Sequence, residues 1–513
     1  MFLPGDEIAL RNLLKRNAEL FPNREMFDFE HGEKWSAAQV LREVCAAADV
    51  LRRAGVEDGD VVSVMLPNGP DFIRAWWGAT MAGAIFAPLN VAFKGNMLGH
   101  LLEVEQPKVI VTDPDHRPHF DGIEHGAIII DPQELRSGDP AFPGTDKPAS
   151  ISDVHTLIAT SGTTGRSKVW TTTMLQILNV GSQVEACGMD ENDRFLVDLP
   201  LFHSAAIGTL LACQVHGVPI SLRAKPSLSR YLEVIRETGA TAAYLVGSMA
   251  AKLLGDPPGP DDRNHSLRTI AAAPLPPRIG EFCERFGIAQ VTTGYGSTEL
   301  GRVLVSDPAS MPPPGSCGKR RPGWEHRLVD GQGHDVEVGQ IGEMIVRPGH
   351  PALCASGYFR NPEATAEAWQ EGWFHTGDLF REDEDGNFYY IDRTKDSVRR
   401  RGENISSYEV EMEVATYPGV ATVACVGAPS DEGVEDEVKV WIELKPGVEI
   451  DFNDLAEYLE SRMPRYMVPR YFELIDKFPM TATHRIQKHV LRERGNSAST
   501  WDRMKAIKRE MRA

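Results

Sequence analysis

Short apolar runs alternate with amphipathic helical patterns along most of this chain. Val61–Leu66 (VVSVML) is a continuous apolar run, a helical pattern covers Pro70–Ala84, and another apolar run occupies Val109–Thr112. The same alternation returns at 195–250 and 269–292. Apolar runs of this length are typical of strands buried on both faces, with the intervening helices covering those faces. The pattern therefore predicts an α/β domain with a largely parallel sheet.

The pattern changes near residue 380. Asp383–Gly386 (DEDG) predicts a hairpin turn, which is followed by the strand-like sequence FYYID and the basic stretch Arg393–Arg401. Beyond it we predict a helix at Tyr408–Ala415, strands at Val420–Gly427 and 438–444, and a helix around Leu455–Met463. These elements form an α+β module of about 100 residues, which is long enough to fold separately. We place a large multi-sheet domain at 1–391, the boundary at 392–396, a small domain at 397–497 and a charged tail at 498–513.

Composition limits the classes of protein that remain. The 513 residues exceed what one hydrophobic core usually supports, which agrees with two domains. The net charge of −19 argues against a general nucleic-acid-binding protein. The seven cysteines include no CxxC pair, which argues against a disulfide framework or a zinc site and favours a reducing cytoplasm. Without a signal-peptide core or an apolar run of about 18 residues, we predict a cytoplasmic protein with no membrane partner.

A Gly/Ser/Thr-rich segment, Thr160–Lys168 (TSGTTGRSK), directly follows the apolar run Val154–Ala159. A strand that leads into such a loop can present several backbone N–H groups and hydroxyls to an anion, and Lys168 adds positive charge. The spacing matches neither a Walker A loop nor GxGxxG. Taken alone, the segment is either an anion-binding loop or an ordinary turn.

Further motifs follow this loop in a fixed order. They are YGSTE at 295, GWFHTGD at 372, DRTKD at 392 and RGENIS at 401. Further matches are LPLFH at 199, GE at 342 followed by IVRP at 345, and GYFRNPEAT at 357. Together they resemble the adenylate-forming superfamily of acyl-CoA synthetases, carrier-loading adenylation domains and beetle luciferases. The resemblance extends from about residue 10 to 490. It implies a large AMP-binding domain, a small mobile domain and a reaction through an acyl-adenylate.

The resemblance implies specific roles at the nucleotide site. Thr160–Lys168 corresponds to the loop that holds the β- and γ-phosphates of ATP, Tyr295 to the aromatic residue that stacks on adenine, and Thr298 to the α-phosphate contact. Asp378 corresponds to the carboxylate that accepts both ribose hydroxyls. Glu299 corresponds to the Mg²⁺ ligand, and Mg²⁺ needs only one or two protein carboxylates beside phosphate. The predicted nucleotide set is Thr160, Ser161, Gly162, Thr163, Thr164, Gly165, Lys168, Ala273, Pro274, Gly294, Tyr295, Gly296, Ser297, Thr298, Asp378, Ile391 and Arg393.

Other positions resemble those that act with coenzyme A. Lys395 corresponds to the hinge, so the hinge is predicted at 392–396, and Gly402 to the residue whose missing side chain opens the pantetheine tunnel. Arg399, Arg400 and Arg401 either meet CoA phosphates or form a solvated basic face.

His203 in LPLFH matches a position that lines the acyl site, although a lone histidine is often structural. A zinc site is disfavoured because no cluster of four ligands accompanies it. Small residues occur at three places: Ala205, Ala206 and Gly208 follow His203, Gly247 lies on another predicted pocket segment, and Ala271–Ala273 correspond to the segment that lines the acid pocket in the family. They indicate either a roomy pocket for a bulky carboxylic acid or tight backbone packing.

One loop departs from the family pattern. The family sequence T-A-T-G-K-I-Q-K reads Thr481–Lys488 (TATHRIQK) here, so that His484 replaces glycine and Arg485 replaces the catalytic lysine. An arginine is wider than a lysine and not interchangeable with it at a crowded site. Loss of one well-placed transition-state charge costs about 10²- to 10³-fold in rate. The departure predicts an impaired adenylation step.

We therefore interpret the chain as an acyl-CoA ligase that forms the thioester from an acyl-AMP supplied by a separate adenylating enzyme. It looks similar to the non-adenylating acyl-CoA ligases of platensimycin-type biosynthesis. Alternatively, Arg485 does the work of the lysine and the chain is a complete two-step ligase that uses ATP, Mg²⁺ and CoA. A non-catalytic acyl-AMP-binding protein is a third hypothesis. A carrier-loading domain is disfavoured because no carrier motif follows residue 490, and nothing specifically indicates a luciferase-like oxygenase.

Overall fold

The structure of this chain is a computed structural model. It describes residues 5–160, 167–245, 247–273, 275–276, 278–354, 357–393, 398–400, 403–429, 436–460, 462–463, 465, 467–480 and 486–510.

The described helices and strands follow the predicted alternation. The α-helices are α1 (Leu10–Leu20), α2 (Ala37–Arg53), α3 (Pro70–Met81), α4 (Gly95–Glu105), α5 (Met174–Val180), α6 (Gln183–Ala186), α7 (Ser204–His216), α8 (Tyr231–Thr238), α9 (Gly247–Gly255), α10 (Ile279–Phe286), α11 (Pro362–Ala368), α12 (Ser407–Ala415), α13 (Phe452–Glu460), α14 (Lys488–Arg494) and α15 (Arg503–Glu510). Short 3₁₀ helices occupy Asp6–Ile8, Glu30–Gly32, Arg117–Phe120, Glu134–Ser137, Leu228–Arg230 and Pro351–Leu353.

The strands up to residue 305 are β1 (Glu25–Phe29), β2 (Lys34–Ser36), β3 (Val61–Met65), β4 (Ile85–Pro88), β5 (Val109–Thr112), β6 (Ile128–Ile130), β7 (Val154–Thr160), β8 (Lys168–Thr173), β9 (Phe195–Val197), β10 (Ile220–Leu222), β11 (Ala242–Leu245), β12 (Thr269–Ala272), β13 (Gln290–Thr292), β14 (Gly294–Ser297) and β15 (Gly301–Val305). The later strands are β16 (Lys319–Arg320), β17 (Trp324–Val329), β18 (Ile341–Pro348), β19 (Trp369–Gln370), β20 (Trp373–Glu382), β21 (Phe388–Arg393), β22 (Val398–Arg400), β23 (Glu403–Ile405), β24 (Val420–Pro429), β25 (Asp436–Leu444), β26 (Tyr471–Leu474) and β27 (Trp501–Asp502).

Two mostly parallel sheets form the centre of the large domain. One has the strand order β13-β12-β11-β9-β10-β1-β2, with an antiparallel β1–β2 edge, and the other has the order β6-β5-β3-β4-β7-β8, with an antiparallel β7–β8 edge. The largest hydrophobic cluster contains the buried rings of Trp35, Trp76 and Trp77 together with strand residues of both sheets. The predicted α/β, multi-sheet domain is confirmed, and its largely parallel strands are divided between these two sheets.

Helix α3 shows how local sequence sets an element's ends. It begins at Pro70, where a fixed φ suits the first helical turn, and ends at Met81 rather than at the predicted Ala84. Gly83 ends it because this residue adopts a φ of +87°, which a helix does not allow. The chain then turns directly into β4.

Smaller sheets complete the large domain and carry the candidate site. Strands β14, β15 and β16 form one of them, and β17, β18, β20 and β19 form another, with β21 paired to β20. The predicted turn at Asp383–Gly386 connects β20 to β21 and is confirmed. Strands β14 and β20 hold the motifs at 295 and 372.

The small domain contains the β22–β23 ribbon and the sheet β24-β25-β26-β27, with α12 to α15 around it. Its predicted α+β character is confirmed. Helix α13 begins at Phe452, before the predicted Leu455, because the Asp451 carboxylate accepts the Asn453 N–H at 2.7 Å and caps the helix.

The segment predicted as a charged tail from residue 498 is joined to this small domain. Trp501 pairs with Phe472 through β27, and Arg503 is only 5% exposed, with an ion pair to Glu460 at 3.0 Å. The segment is rich in charged residues, and only a few of its described residues, near its beginning, are buried, so its composition does not indicate that it packs on the small domain. None of the helices in the described part of the chain is long and apolar enough to cross a membrane.

A buried carboxyl group gives a test of the large-domain core. Glu105 at the end of α4 is 1% exposed and accepts a hydrogen bond from the Ser63 hydroxyl at 2.6 Å. Burial raises the pKa of Glu105 to about 8. The folded protein therefore keeps a proton that the unfolded chain releases near its ordinary pKa of 4.5. The contribution of Glu105 to the free energy of unfolding is therefore fully present below pH 4.5. It decreases as the pH rises from there towards 8.

Between about pH 6 and 8, titration of Glu105 should lower the free energy of unfolding of the wild type by up to about 1.4 kcal/mol per pH unit. We expect Glu105→Gln to abolish this pH dependence. Urea unfolding of both proteins across this range measures it. The exposed Glu103, on the same helix, provides the matched control Glu103→Gln, which should keep the wild-type slope. Equal slopes for wild type and Glu105→Gln would show that Glu105 titrates normally.

Candidate active site

Asp378 is a buried carboxylate that two neighbouring strands hold in place. It lies on β20 with 6% of its surface exposed, directly opposite Arg393 of β21 in the antiparallel register. The Tyr295 hydroxyl donates a hydrogen bond to Asp378 Oδ2 at 2.5 Å, and Arg393 Nε lies 3.3 Å from Oδ1. Burial and the adjacent carboxylate raise the pKa of Tyr295 well above its usual value. Tyr295 is therefore a neutral donor, and three predicted nucleotide residues meet at one point.

The turn before Asp378 is fixed by a residue that the motifs did not assign. Glu343 of β18 accepts the Gly377 N–H at 3.0 Å through Oε1, and its Oε2 lies 3.1 Å from His375 Nδ1. Gly377 has a φ of +67°, a conformation that favours glycine. The Thr376 hydroxyl accepts the Asp378 N–H at 3.1 Å. These contacts orient the Asp378 carboxylate before any ligand arrives.

Glu299, the predicted Mg²⁺ ligand, is held through both its backbone and its side chain. Gln176 of α5 donates to the carbonyl oxygens of Thr298 and Glu299 at 3.0 and 2.9 Å. The Tyr358 hydroxyl donates to Glu299 Oε1 at 3.0 Å, and Oε2 has no hydrogen-bond partner within the described residues. Lys168 Nζ lies 5.0 Å from the centre of the Tyr358 ring. A carboxylate oxygen is a hard ligand of the kind that Mg²⁺ takes, and Lys168 lies at the same tyrosine, so the residues fit the predicted Mg²⁺–phosphate site, which stays a prediction.

The glycines on either side of Tyr295 have a packing reason of their own. A Cβ atom on Gly296 would overlap the carbonyl oxygen of Gly301 on β15, and one on Gly294 would lie 2.5 Å from the Leu304 carbonyl oxygen. Both glycines thus allow the close pairing of β14 with β15, which positions Ser297 and Thr298 at the end of β14. Their predicted contact with the nucleotide stays a prediction.

His203 and the small residues after it lie at the start of α7. His203 immediately precedes this helix, and its ring centroid lies 4.6 Å from that of Phe202. A Cβ atom on Gly208 would lie 2.5 Å from the Ile177 carbonyl oxygen and 2.8 Å from Val180 Cβ. Gly208 therefore permits α5 and α7 to cross closely. Its small size has this packing reason and does not support the predicted roomy acid pocket. Gly247 begins α9, and Ala271 and Ala272 are buried on β12.

The small domain is attached next to the candidate site. The Ser406 hydroxyl donates to the Ile391 carbonyl oxygen, and the Ser407 N–H donates to Asp392 Oδ2 at 2.6 Å. Lys488 Nζ forms an ion pair with Glu411 at 2.8 Å. The beginning of α12 is thus tied to β21, the strand that carries Arg393.

The predicted basic face at 399–401 is wrong for Arg400. This residue is 6% exposed, and its Nε lies 2.6 Å from Glu437 Oε2 on β25. It therefore neither meets CoA phosphates in this arrangement nor forms a solvated face. The run of three arginines does not reveal this, because Glu437 is distant in sequence. Arg399 lies on β22, opposite Asn404.

Comparison with known proteins decides the family. The AMP-binding enzyme family matches residues 14–359, and the AMP-binding enzyme C-terminal domain matches residues 409–485. The chain belongs to the AMP-binding enzymes. Its resemblance to the adenylate-forming superfamily is thereby confirmed, as is the division into a large AMP-binding domain and a small C-terminal domain.

Several relatives of this AMP-binding enzyme are similar over nearly their full length. A feruloyl-CoA synthase from Amycolatopsis sp is 33% identical over 470 residues, covering 90% of this chain and 94% of the relative. A crotonobetaine/carnitine–CoA ligase from Citrobacter koseri is 28% identical, with 94% and 98% covered. The solved O-succinylbenzoate coenzyme A synthetase from Bacillus subtilis, in complex with AMP, is 26% identical with a TM-score of 0.83 and covers 96% of this chain and 99% of its own.

Several predicted site residues of this AMP-binding enzyme fall outside the described part of the chain: Ser161, Gly162, Thr163, Thr164, Gly165, Pro274, Lys395, Arg401, Gly402 and Arg485. Their roles stay predictions. Thr160, at the end of β7, pairs with Lys168, at the start of β8. Ala273 directly follows β12 and is partly buried. The motifs gave no role to the supporting residues Gln176, Glu343 and Tyr358, although Tyr358 lies within GYFRNPEAT, because nothing in the local sequence indicates their distant partners.

We expect Gly208→Ala to lower the free energy of unfolding by about 1 to 3 kcal/mol, since the added methyl group overpacks the crossing of α5 and α7. Urea unfolding measures the loss. A Cβ atom added to Gly280 on α10 would have no other atom within 4 Å, so Gly280→Ala is the matched control and should stabilise slightly. If Gly208→Ala has the same free energy of unfolding as wild type but changes which acids the protein prefers, the packing role is contradicted and Gly208 lines the acid pocket.

Proposed function

We propose that this chain is a complete acyl-CoA ligase, which converts a carboxylic acid to its acyl-AMP with ATP and then to its CoA thioester. The observation that carries the proposal is the convergence of Tyr295, Asp378 and Arg393 at one buried point, with Glu299 and Lys168 grouped around Tyr358. The similarity to CoA ligases over 90% or more of the chain supports it.

In the first half-reaction, a carboxylate oxygen of the acid attacks the α-phosphorus of ATP. The new P–O bond joins the acid to AMP, the bond between the α- and β-phosphates breaks, and pyrophosphate leaves. Asp378 would accept the two ribose hydroxyls, and the ring of Tyr295 would stack on adenine. Lys168 would neutralise charge on the leaving phosphates. Mg²⁺, when held by Glu299, would supply further neutralisation of phosphate charge. A relative from Bacillus subtilis, 27% identical, has been solved with ATP and a magnesium ion.

In the second half-reaction, the CoA thiol attacks the carbonyl carbon of the acyl-AMP. The C–S bond forms, the bond from the carbonyl carbon to the AMP oxygen breaks, and the thiol proton is released. The intact AMP-holding residues would keep the leaving group in place. Movement about Lys395 would bring Gly402 to the pantetheine arm. His203, at the start of α7, would lie beside the acyl group. We propose that the substrate is a bulky carboxylic acid. Gly208 does not support this proposal, because it serves the crossing of α5 and α7.

One sequence feature favours a second candidate function. Arg485 and His484 stand where the family has lysine and glycine. If the arginine fails to replace the lysine, the chain would perform only the second half-reaction, with acyl-AMP supplied by a separate adenylating enzyme. The full-length similarity to relatives named as CoA synthases and ligases favours the complete reaction.

Product analysis separates these functions. The protein is supplied with CoA and a panel of acids, first with ATP and Mg²⁺ and then as preformed acyl-AMP, and pyrophosphate and acyl-CoA are measured. We expect both products in the ATP arm. Thioester from acyl-AMP alone would support the half-reaction ligase. Binding of AMP with no thioester in either arm would leave only a non-catalytic acyl-AMP-binding protein.

A further inference from the structure

Arg302 is a buried cation to which the nucleotide site gives no role. It lies on β15 and is 7% exposed, and its Nη2 donates a hydrogen bond to the Tyr244 hydroxyl at 2.9 Å. No carboxylate of the described residues forms an ion pair with it. Burying a guanidinium without a counter-ion is costly, so a buried arginine normally has an anionic partner. A bound ligand is one source of that partner.

The surroundings of Arg302 make its position more positive. Arg321 donates to the Asn179 carbonyl oxygen at 3.1 Å and to the Ser182 hydroxyl at 2.6 Å. Burial, together with the charge of Arg302, lowers the pKa of Arg321 to about 10. Asp193 does not compensate Arg302, because its carboxylate is held by Arg268 at 2.6 and 2.7 Å.

The Arg302–Tyr244 pair has several hydrogen-bond donors that no described residue accepts. The Tyr244 oxygen accepts from Arg302, so its own proton is directed towards another acceptor, and the described residues supply none for it. The guanidinium has further N–H groups beyond the one used. A group that accepts several hydrogen bonds and carries negative charge satisfies both residues, and a carboxylate does this best.

The strand register places this pair beside the nucleotide site. Tyr244 of β11 is level with Ala271 of β12, so the two side chains share one face of the sheet. Ala271 is two residues before Ala273, a predicted nucleotide contact, and alternate strand residues face the same side. Arg302 is paired with Gly296, next to Tyr295, and its Cδ would be 3.3 Å from a Cβ on Gly294. Glycine at 294 leaves room for the arginine stem.

We propose that Arg302 and Tyr244 bind a second carboxylate, at the far end of the acid, so that the substrate of this enzyme is a dicarboxylic acid. The inference rests on the proposed function, since it assigns the acid of the same reaction. An acyl group attached to AMP between Tyr295 and Ala273 would extend along the face that carries Tyr244. On that face Ala271 contributes only a methyl group.

Calorimetry with saturating AMP tests the assignment without requiring turnover. Dicarboxylic acids from glutarate to sebacate are compared with monocarboxylic acids of the same chain length, in wild type, Arg302→Met, Tyr244→Phe and the control Arg320→Met. Arg320 is exposed and paired with Glu382. We expect at least one diacid to bind wild type about 10- to 100-fold more tightly than its monoacid. Arg302→Met should remove most of that preference, Tyr244→Phe part of it, and Arg320→Met none.

Two results would overturn the inference. One is a wild-type protein that prefers no diacid over its monoacid. The other is an equal weakening of mono- and diacids in Arg302→Met, which would place Arg302 at the reacting carboxylate or in the support of the fold. Acyl-CoA formation is measured separately with the same acids. Thioester without a diacid preference would overturn the inference alone, whereas a diacid preference without thioester would overturn the proposed function alone.

Discussion

Asp378→Ala is expected to weaken AMP binding by about 10²- to 10⁴-fold, because the variant would lose the two charge-assisted hydrogen bonds that we propose to the ribose hydroxyls, worth about 1.5 to 3 kcal/mol each. The carboxylate is 6% exposed and is already oriented by Tyr295 and Arg393, so little of its binding energy is lost in ordering it. Isothermal titration calorimetry with AMP measures the dissociation constant directly. This ligand avoids any dependence on the unknown acid.

Companion variants separate ligand contact from folding. Asp378→Asn keeps an acceptor for the Tyr295 hydroxyl and should weaken AMP binding less than alanine does. Asp385, an exposed carboxylate in the nearby hairpin turn, provides the matched control Asp385→Ala, which should bind AMP as wild type does. A folded Asp378→Ala protein with an unchanged dissociation constant would contradict the assignment of Asp378 to the ribose.

Arg485→Ala is expected to reduce pyrophosphate release by about 10²- to 10³-fold, the usual effect of removing one electrostatic donor from a transition state. The first half-reaction brings a carboxylate against a phosphate, and a positive charge between them offsets the repulsion. The second half-reaction attacks a carbonyl that is already activated. Thioester formation from preformed acyl-AMP should therefore change little, and single-turnover measurements of each half-reaction would show the difference.

The lysine variant decides between the complete and the partial ligase. If Arg485 already supports adenylation, Arg485→Lys should bring no large gain. The half-reaction hypothesis instead expects a gain of about 10²- to 10³-fold in pyrophosphate release, with His484→Gly added if the loop must close more tightly. Arg494, which is exposed on α14, provides the control Arg494→Ala. Equal losses in both half-reactions of Arg485→Ala would contradict a role confined to adenylation.

The order of motifs and the periodicity of apolar residues are sufficient to predict the fold class. Val109–Thr112 is a strand with the predicted ends, and Pro70 begins a helix as predicted, because both signals depend on neighbouring residues. The predicted boundaries are less accurate where a cap or a glycine of positive φ sets the end, as at Asp451 and Gly83.

The candidate site is predictable from sequence only in its motif residues. Tyr295, Asp378 and Glu299 belong to contiguous sequence patterns, and the structure brings Tyr295 and Asp378 into contact across 83 positions of chain. Tyr358 belongs to GYFRNPEAT and Glu343 lies two residues before IVRP, but neither motif indicates the role of the residue, because each side chain orients a partner that is distant in sequence. Their function depends on which strand lies beside them.

For this protein, sequence alone determined the alternation of strands and helices, the two-domain organisation and the identity of the motif residues proposed to hold AMP, because each is encoded in spacing along the chain. The tertiary structure decided what an ambiguous residue does. It made Gly208 a helix-crossing residue, gave Arg400 a buried partner in Glu437, and left Arg302 buried beside Tyr244. Small size and positive charge have several uses, and only the atoms that long-range folding brings within a few ångströms select one of them.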